Sequence, residues 1–219
     1  DATGRGVLFA TESALQYLGI PIEGVTVAVQ GFGKVGAVAA RLFAKAGARV
    51  IAISDYTGAI HNAGGIDIAK AEIWVRRHGT LEDFPSGDRI SNDELLALDV
   101  DVLVPAALES VITSRNAASI RAKIVSEGGN GLTTAEADAV LESNGVFVIP
   151  DILANAGGVT VSYFEWVQNR SGYGWSEALV NERLAEVMQR SFAQVLAIAE
   201  QQNVSMRTAA YMLGIGRVA

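Results

Sequence analysis

An apolar segment at residues 25–30 leads directly into a glycine-spaced turn, and no other feature constrains the fold of this chain as strongly. The turn consists of Gly31, Phe32, Gly33, Lys34, Val35 and Gly36. Gly31 permits a tight bend, Gly33 lets the backbone approach a pyrophosphate, and Gly36 lets a following helix pack closely on a sheet. The segment therefore predicts a strand, a phosphate-binding turn and a helix N-terminus that favours negative charge.

A second strand and an acidic residue follow at the spacing of a dinucleotide site. The helix predicted at residues 34–46 ends at Gly47, and residues 49–54 predict the next strand. Asp55 closes this strand about twenty residues after the glycines, where such sites place the acceptor for a ribose 2′-hydroxyl. This context makes a glycine-rich turn without a ligand the weaker interpretation.

The remaining pattern alternates helices with strands and then changes to helices only. A helix is predicted at residues 7–18, a glycine-rich connection at 58–65, a helix at 66–78 and a polar surface excursion at 79–92. Strands are predicted at residues 100–107, 123–126 and 146–149, with a helix at 134–144 between the last two. Beyond Pro150 the helices are predicted at residues 156–169, 176–202 and 205–216.

Together these elements predict an α/β chain with a Rossmann-like, doubly wound, mostly parallel sheet and C-terminal helices. We divide it into a dinucleotide-binding domain at residues 1–170, which includes the N-terminal helix, and a helical extension at residues 171–219.

Charge and composition exclude several classes of function. The formal charge of −7 argues against a nucleic-acid or membrane-surface partner, since both require a clustered positive face. No run of about eighteen apolar residues and no leader for export is visible, so we expect a cytoplasmic protein. The absence of cysteine excludes disulfides and thiolate chemistry, and no metal site is predicted.

Small and amide residues follow the later strands of the predicted sheet. Ala106, Asn130 and Asn155 each lie just beyond a strand, and ligands of doubly wound sheets bind beyond the carboxyl ends of the strands. Each asparagine offers a donor and an acceptor for a ribose hydroxyl or a nicotinamide carboxamide. The alternative is that both are turn and cap residues, favoured for their backbone conformations.

Four segments, at residues 2–7, 29–33, 127–134 and 155–166, resemble the hexameric glutamate dehydrogenases of the Glu/Leu/Phe/Val dehydrogenase superfamily. The most specific is Asn-Ala-Gly-Gly-Val followed by Ser-Tyr-Phe-Glu-Trp, which separates this family from the related leucine and phenylalanine dehydrogenases. The resemblance covers essentially the whole chain. It extends only to the family's cofactor-binding domain, and we expect the substrate and catalytic domain to be absent from this chain.

The resemblance implies roles for individual residues. Residues 31–35 form the phosphate turn, Ala106 lines the path of the nicotinamide ring, and Thr3, Asn130 and Asn155 orient that ring. Val159 and Ser162 would be this domain's contribution to the glutamate pocket, although Ser162 could instead bond back to its own helix. Lys34 stands where the family often has asparagine, and it either adds positive charge near the pyrophosphate or points to solvent.

The implied activity is oxidative deamination of L-glutamate to 2-oxoglutarate and ammonia. The family's catalytic lysine and aspartate lie in the other domain, so we expect no catalytic residue here and a chain that binds cofactor without turnover. Two alternatives stay open: a non-catalytic NAD-sensing module, and a dehydrogenase for another amino acid or a 2-hydroxy acid. The full enzyme is expected to be a homohexamer and this chain alone a monomer.

Cofactor choice depends on charge near Asp55. Its carboxylate would accept from both adenosine ribose hydroxyls and repel a 2′-phosphate, which favours NAD. NADP is not excluded, because Arg76 or Arg77 could supply the positive charge that such a phosphate needs. We also expect the last helix to pack toward the absent domain and to expose Tyr211, Met212 and Leu213.

Overall fold

A computed structural model describes all of residues 1–219 and contains one seven-stranded sheet with helices on both faces. The strands are β1 (Thr26–Gln30), β2 (Arg49–Asp55), β3 (Gly58–His61), β4 (Asp88–Ile90), β5 (Val102–Pro105), β6 (Ile124–Ser126) and β7 (Phe147–Ile149). The helices are α1 (Ala2–Tyr17), α2 (Gly36–Lys45), α3 (Ile68–His78), α4 (Asn92–Leu96), α5 (Ala135–Ser143), α6 (Asp151–Ala154), α7 (Gly157–Ser171), α8 (Glu177–Gln202) and α9 (Met206–Val218), with a 3-10 turn at Ala117–Ser119. No helix has the length and apolar character needed to cross a bilayer.

The strand order is β4-β3-β2-β1-β5-β6-β7. Strands β2, β1, β5, β6 and β7 are mutually parallel, and β3 and β4 form an antiparallel edge. The chain moves outward from β1 on one side and resumes with β5 on the other side of β1. The topological switch point therefore lies between β1 and β5, and the predicted doubly wound, mostly parallel fold is confirmed.

Alternate strand residues enter two apolar cores, one on each face of the sheet. In β1, Val27 and Val29 belong to the larger core, while Ala28 between them belongs to the smaller one. The larger core packs under α1, α2 and the C-terminal helices, and the smaller packs under α4 and α5. Because both faces are covered, the central strands are apolar at nearly every position, as the sequence of β1 indicates.

Two segments differ from the prediction. The predicted connection at residues 58–65 contains β3, whose Ala59 and Ile60 are fully buried, and the predicted excursion at 79–92 contains β4. Leu81 and Phe84 in the same excursion are also buried. These strands are short and pair with each other and with β2, so no long alternating pattern marks them in the sequence.

The N-terminal helix begins earlier than predicted because glycines allow close packing. It starts at Ala2 rather than at residue 7, and Gly6 lies against the start of α7. A Cβ added at Gly6 would come within 2.8 Å of the backbone nitrogen of Gly157. This contact holds the first turn of α1, which contains Thr3, beside the start of α7.

The C-terminal helices share the larger core with the sheet. Leu184, Met188 and Phe192 of α8 are buried in it. The predicted boundary between residues 170 and 171 falls at the end of α7, and this division stays a prediction. On α9, the expected exposure of Tyr211 and Met212 is confirmed, whereas that of Leu213 is wrong because Leu213 packs against the core.

Candidate functional site

The glycine turn lies at the switch point, and two of its glycines are required by the fold. Gly31 has a φ of +94°, and a Cβ there would approach the carbonyl oxygen of Ala106 at 2.6 Å. A Cβ at Gly36 would overlap the carbonyl oxygen of Gly31 itself. The turn is also tied to its neighbours, since the N–H of Ala106 donates to Gln30 at 2.7 Å. Gly31 and Gly36 therefore let the ends of β1 and β5 and the start of α2 come together.

Gly33 differs from these two glycines because the fold does not need it. Nothing lies within 4 Å of the position that its Cβ would occupy, and the residue is exposed. Helix α2 begins three residues later, at Gly36 rather than at the predicted Lys34, and no side chain caps its N-terminus. The open space at Gly33 and the uncapped N–H groups form a cradle that fits a diphosphate.

A cleft of about 590 Å³ extends from this turn along the carboxyl ends of β1, β2 and β5. It brings together five of the predicted cofactor residues, which are Gly31, Phe32, Gly33, Asp55 and Ala106. Tyr56, which is 84% exposed, Asn92 and Leu108 also line it. Its size and position suit the adenosine part of a dinucleotide.

Asp55 lies in this cleft with its carboxylate already hydrogen-bonded. Oδ1 accepts from the Thr57 N–H at 2.8 Å and from the Thr57 hydroxyl at 2.6 Å, and Oδ2 accepts from the Leu81 N–H at 2.6 Å. A carboxylate has about four acceptor positions, so one position on Oδ2 is left. Asp55 can accept a hydrogen bond from one ribose hydroxyl while it keeps its present bonds. To accept from both ribose hydroxyls, it must lose the bond from the Thr57 hydroxyl.

The two predicted asparagines contact each other directly. Nδ2 of Asn155 donates to Oδ1 of Asn130 at 2.6 Å, which joins the loop after β6 to the end of α6. Asn155 is also the C-cap of α6, so its backbone has the alternative role that the sequence left open. This hydrogen-bonded unit, the Asn130–Asn155 pair, leaves each side chain further donors or acceptors for a ligand.

The loop that carries Asn130 lies beside the glycine turn. A Cβ at Gly128 would be 3.2 Å from Cβ of Ala106 and 3.3 Å from Cγ1 of Val35, and the Gly128 N–H donates to Pro105 at 2.9 Å. The end of β6 is therefore packed against the ends of β1 and β5 and the start of α2. The Asn130–Asn155 pair and the phosphate turn share one edge of the sheet.

Thr3, Val159 and Ser162 extend this edge. A Cβ at Gly158 would lie 2.5 Å from Oγ1 of Thr3, so Thr3 is next to the first turn of α7. Val159 is 70% exposed and Ser162 is also exposed. The hydroxyl of Ser162 donates to the carbonyl oxygen of Gly158 at 3.2 Å, as the alternative interpretation of this residue expects. The long bond and the exposure leave the hydroxyl available to another acceptor.

An ion cluster that the sequence did not indicate adjoins the segments that carry the Asn130–Asn155 pair. Arg207 of α9 contacts three carboxylates: Glu127 at 2.8 Å, Asp138 at 2.9 Å and Asp151 at 3.4 Å. Glu127 is fully buried and Arg207 is 17% exposed. Burial alone would lower the pKa of Arg207, but the hydrogen bonds and charges of Glu127 and Asp138 raise that pKa above its ordinary value. The cluster joins α5, α6 and α9 to the end of β6.

A doubly wound sheet with an open glycine turn at its switch point is the architecture of Rossmann-type dinucleotide-binding domains. Over residues 1–219 the sequence matches the family described as Glutamate/Leucine/Phenylalanine/Valine dehydrogenase. The chain belongs to this family, which is one of amino-acid oxidoreductases and implies a nicotinamide cofactor.

Individual relatives agree with this assignment. A glutamate dehydrogenase of Thermotoga maritima is 51% identical over 220 residues, which is all of this chain and 53% of the relative. The structure of hetero-hexameric glutamate dehydrogenase from Thermus thermophilus superposes with a TM-score of 0.93 at 33% identity, over 99% of this chain and 51% of that one. The structure of glutamate dehydrogenase from Peptoniphilus asaccharolyticus superposes with a TM-score of 0.85 at 38% identity, again over 99% of this chain and 51% of that one. The chain thus spans about half the length of these relatives.

Proposed function

We propose that this chain is the NAD-binding part of a glutamate dehydrogenase, which converts L-glutamate to 2-oxoglutarate and ammonia. The observation that carries the proposal is the Asn130–Asn155 pair, held at 2.6 Å on the same edge of the sheet as the open turn at Gly33. One end of this edge fits a diphosphate and the other offers amides for a carboxamide ring. The glutamate dehydrogenases among the relatives support the choice of substrate.

The residues divide the cofactor between them. Gly31, Phe32, Gly33, Lys34 and Val35 surround the diphosphate, whose charge is favoured by the N-terminus of α2. Asp55 accepts from the adenosine ribose, and Ala106 lines the path of the ring. Thr3, Asn130 and Asn155 fix the orientation of the ring. A bound nicotinamide ring would supply the acceptor for the hydride from the Cα atom of glutamate.

The surroundings of Asp55 support NAD over NADP. A 2′-phosphate would meet a carboxylate there, and neither Tyr56 nor Thr57 supplies a cation. Of the two candidate arginines, Arg76 shares a cavity with Gly33 and Lys34, whereas Arg77 lines a separate cavity with Trp74. Of these two arginines, Arg76 is therefore the better placed to supply positive charge to a 2′-phosphate.

The substrate end of the proposal involves α7. Val159 would form a wall beside the carbon chain of glutamate, and the Ser162 hydroxyl would donate to its side-chain carboxylate. Both are exposed on the helix that begins beside Thr3, so a substrate lying over the nicotinamide ring can reach them.

None of the chain's lysines is placed to activate water. All four of its lysines, Lys34, Lys45, Lys70 and Lys123, are exposed. A lysine needs desolvation or a neighbouring cation to act as a base near neutral pH. We therefore propose that the catalytic lysine and aspartate belong to the part of the relatives that this chain does not match, and that the chain alone binds cofactor without turnover.

The proposal extends to the oligomeric state of the protein and its location in the cell. The Thermus thermophilus relative is hetero-hexameric. We propose a hexamer for the full enzyme, a monomer for this chain alone, and a cytoplasmic location. Light scattering on the isolated chain tests the monomer, and a stable hexamer would contradict it.

A direct test is reduction of NAD by the full-length protein with L-glutamate, L-leucine or lactate as substrate. We expect NADH formation with glutamate and at least tenfold less with the other two. Turnover of leucine or lactate alone would favour another dehydrogenase. Binding of NADH without turnover of any substrate would favour the alternative of an NAD-sensing module.

A further inference from the structure

Arg207 reaches the Asn130–Asn155 pair through two carboxylates. Its two terminal nitrogens donate to the two oxygens of Glu127, at 3.0 and 2.8 Å. Oε2 of Glu127 in turn accepts from the Asp151 N–H at 2.7 Å, and Oδ2 of Asp151 accepts from the Gly131 N–H at 2.8 Å. Arg207 therefore contacts the segments on which both asparagines are carried.

Each link of this chain of bonds adjoins one asparagine. Gly131 directly follows Asn130, so its bond to Asp151 fixes the end of that loop. Asp151 is the first residue of α6, and Asn155 directly follows the last residue of the same short helix. A shift of Asp151 would therefore move both amides and disturb the 2.6 Å bond between them.

We propose that Arg207 is a positioning residue for the nicotinamide end of the site: through Glu127 and Asp151 it holds Asn130 and Asn155 in register with each other. The inference rests on the proposed function, because it assumes that the pair binds the nicotinamide ring. Arg207 lies on α9 and does not itself line the cleft at the glycine turn, so its role would be indirect.

The chemistry of the cluster requires arginine rather than any cation. The guanidinium uses Nε, Nη1 and Nη2 to bond three carboxylates, including both oxygens of Glu127. A lysine ammonium has three donors at one atom and cannot reproduce this planar fork. Arg207→Lys therefore keeps the charge that the buried Glu127 needs while it loosens the geometry of Glu127 and Asp151.

Two ligands separate positioning from general stability. NADH and ADP-ribose share the diphosphate and the adenosine, but only NADH has the nicotinamide ring. For R207K in the full-length protein we expect the NADH dissociation constant to rise about tenfold, as for the loss of one hydrogen bond to the ring. The dissociation constant of ADP-ribose should change less than about twofold, within the usual effect of a distant substitution.

Matched controls exclude indirect effects. Lys123→Met removes a cation from Asp101 at the opposite end of β6, and Leu95→Ala creates a cavity under α4. Both should leave the ratio of NADH to ADP-ribose affinity unchanged. If R207K does not fold, the same titrations on Asp151→Asn decide the question, because this change weakens the bond to Gly131 and keeps the Asp151 N–H.

The outcomes are distinct. A selective loss of NADH affinity in R207K, or in Asp151→Asn, supports the proposal. Equal losses for both ligands, or no loss for either, would overturn it. If the unmodified protein binds neither ligand, the proposed function itself fails, and that result is visible before any variant is compared.

Discussion

The side-chain amide of Asn155 donates to Oδ1 of Asn130 over 2.6 Å, and so joins the loop that follows β6 to the C-terminal end of α6. These two residues are 25 positions apart in the chain. Their contact defines one end of an edge whose other end is the glycine turn after β1. The proposed position of the nicotinamide ring depends on this contact more than on any other.

A change at Asn155 tests the pair directly. Asn155→Asp replaces the donor Nδ2 by an oxygen that would face Oδ1 of Asn130, so the two groups would repel. We expect NADH affinity to fall by about tenfold or more, and by more than in Asn155→Ala, which removes the donor without repulsion. Calorimetric titration measures both variants. Equal affinity of Asn155→Asp and the unmodified protein would remove the pair from the site.

Two of the turn glycines, Gly33 and Gly36, should respond differently to alanine. Gly36→Ala places a methyl group on the carbonyl of Gly31 and should cost about 2–3 kcal/mol, or roughly 5–10 °C in Tm. Gly33→Ala meets no atom within 4 Å and should change stability by less than about 0.5 kcal/mol. Thermal unfolding followed by circular dichroism compares them. A larger loss at Gly33 than at Gly36 would show that the turn is built differently.

The cofactor preference can be tested at Asp55 and Arg76. The unmodified protein should bind NADH more tightly than NADPH, because Asp55 repels a 2′-phosphate. Arg76→Gln should weaken the binding of NADPH further and change the affinity for NADH by less than about twofold. Arg77 lines a separate cavity, so Arg77→Gln should change neither affinity. Calorimetry with both cofactors measures the ratio. Comparable affinities in the unmodified protein, or a preference for NADPH, would contradict the role assigned to Asp55.

Asp101 should make stability depend on pH. Its oxygens accept from the N–H and hydroxyl of Thr26 and from Nζ of Lys123, which joins β1 to β6. Burial alone would raise the pKa of Asp101, but the hydrogen bonds from Lys123 and Thr26 hold that pKa below its ordinary value. Because the pKa of Asp101 is lower in the folded state, its carboxylate stabilises the protein fully at pH values above its unfolded-state pKa of about 4. This stabilisation is lost as the pH falls through the folded-state pKa.

Urea unfolding of Asp101→Asn and the unmodified protein checks this dependence. The variant should be less stable by about 2 kcal/mol at pH 7, the usual worth of hydrogen bonds to a charged group. The difference should shrink as the pH falls below about 4. A difference that stays constant from pH 7 to pH 3 would show that the carboxylate charge is not responsible.

Local signals account for the part of the fold that the sequence predicted. The glycine turn and the apolar runs of β1, β2 and β5 are continuous in the chain. Several helix starts are marked by a capping hydroxyl: Thr134, Ser176 and Ser205 each accept from a backbone N–H three residues later. The antiparallel strands β3 and β4 lack such signals, because they are short and depend on pairing with each other and with β2.

As with the fold, only part of the candidate site could be predicted from the sequence. The rule that ligands lie beyond the carboxyl ends of strands placed Asn130 and Asn155 on one edge, but the bond between them depends on side-chain conformations that no spacing encodes. Arg207 was missed altogether. It is 80 positions from Glu127, and a charge pair at that separation leaves no periodic pattern in the sequence.

The most direct test of the central claim is fluorescence titration of the protein with NADH, compared with its Gly33→Val variant. We predict enhanced NADH emission that saturates at one cofactor per chain. In Gly33→Val this signal should be lost at an unchanged Tm, since nothing in the fold lies within 4 Å of the position that the new Cβ would occupy. Absence of binding by the unmodified protein, or equal binding by a folded Gly33→Val, would contradict a dinucleotide site at this turn.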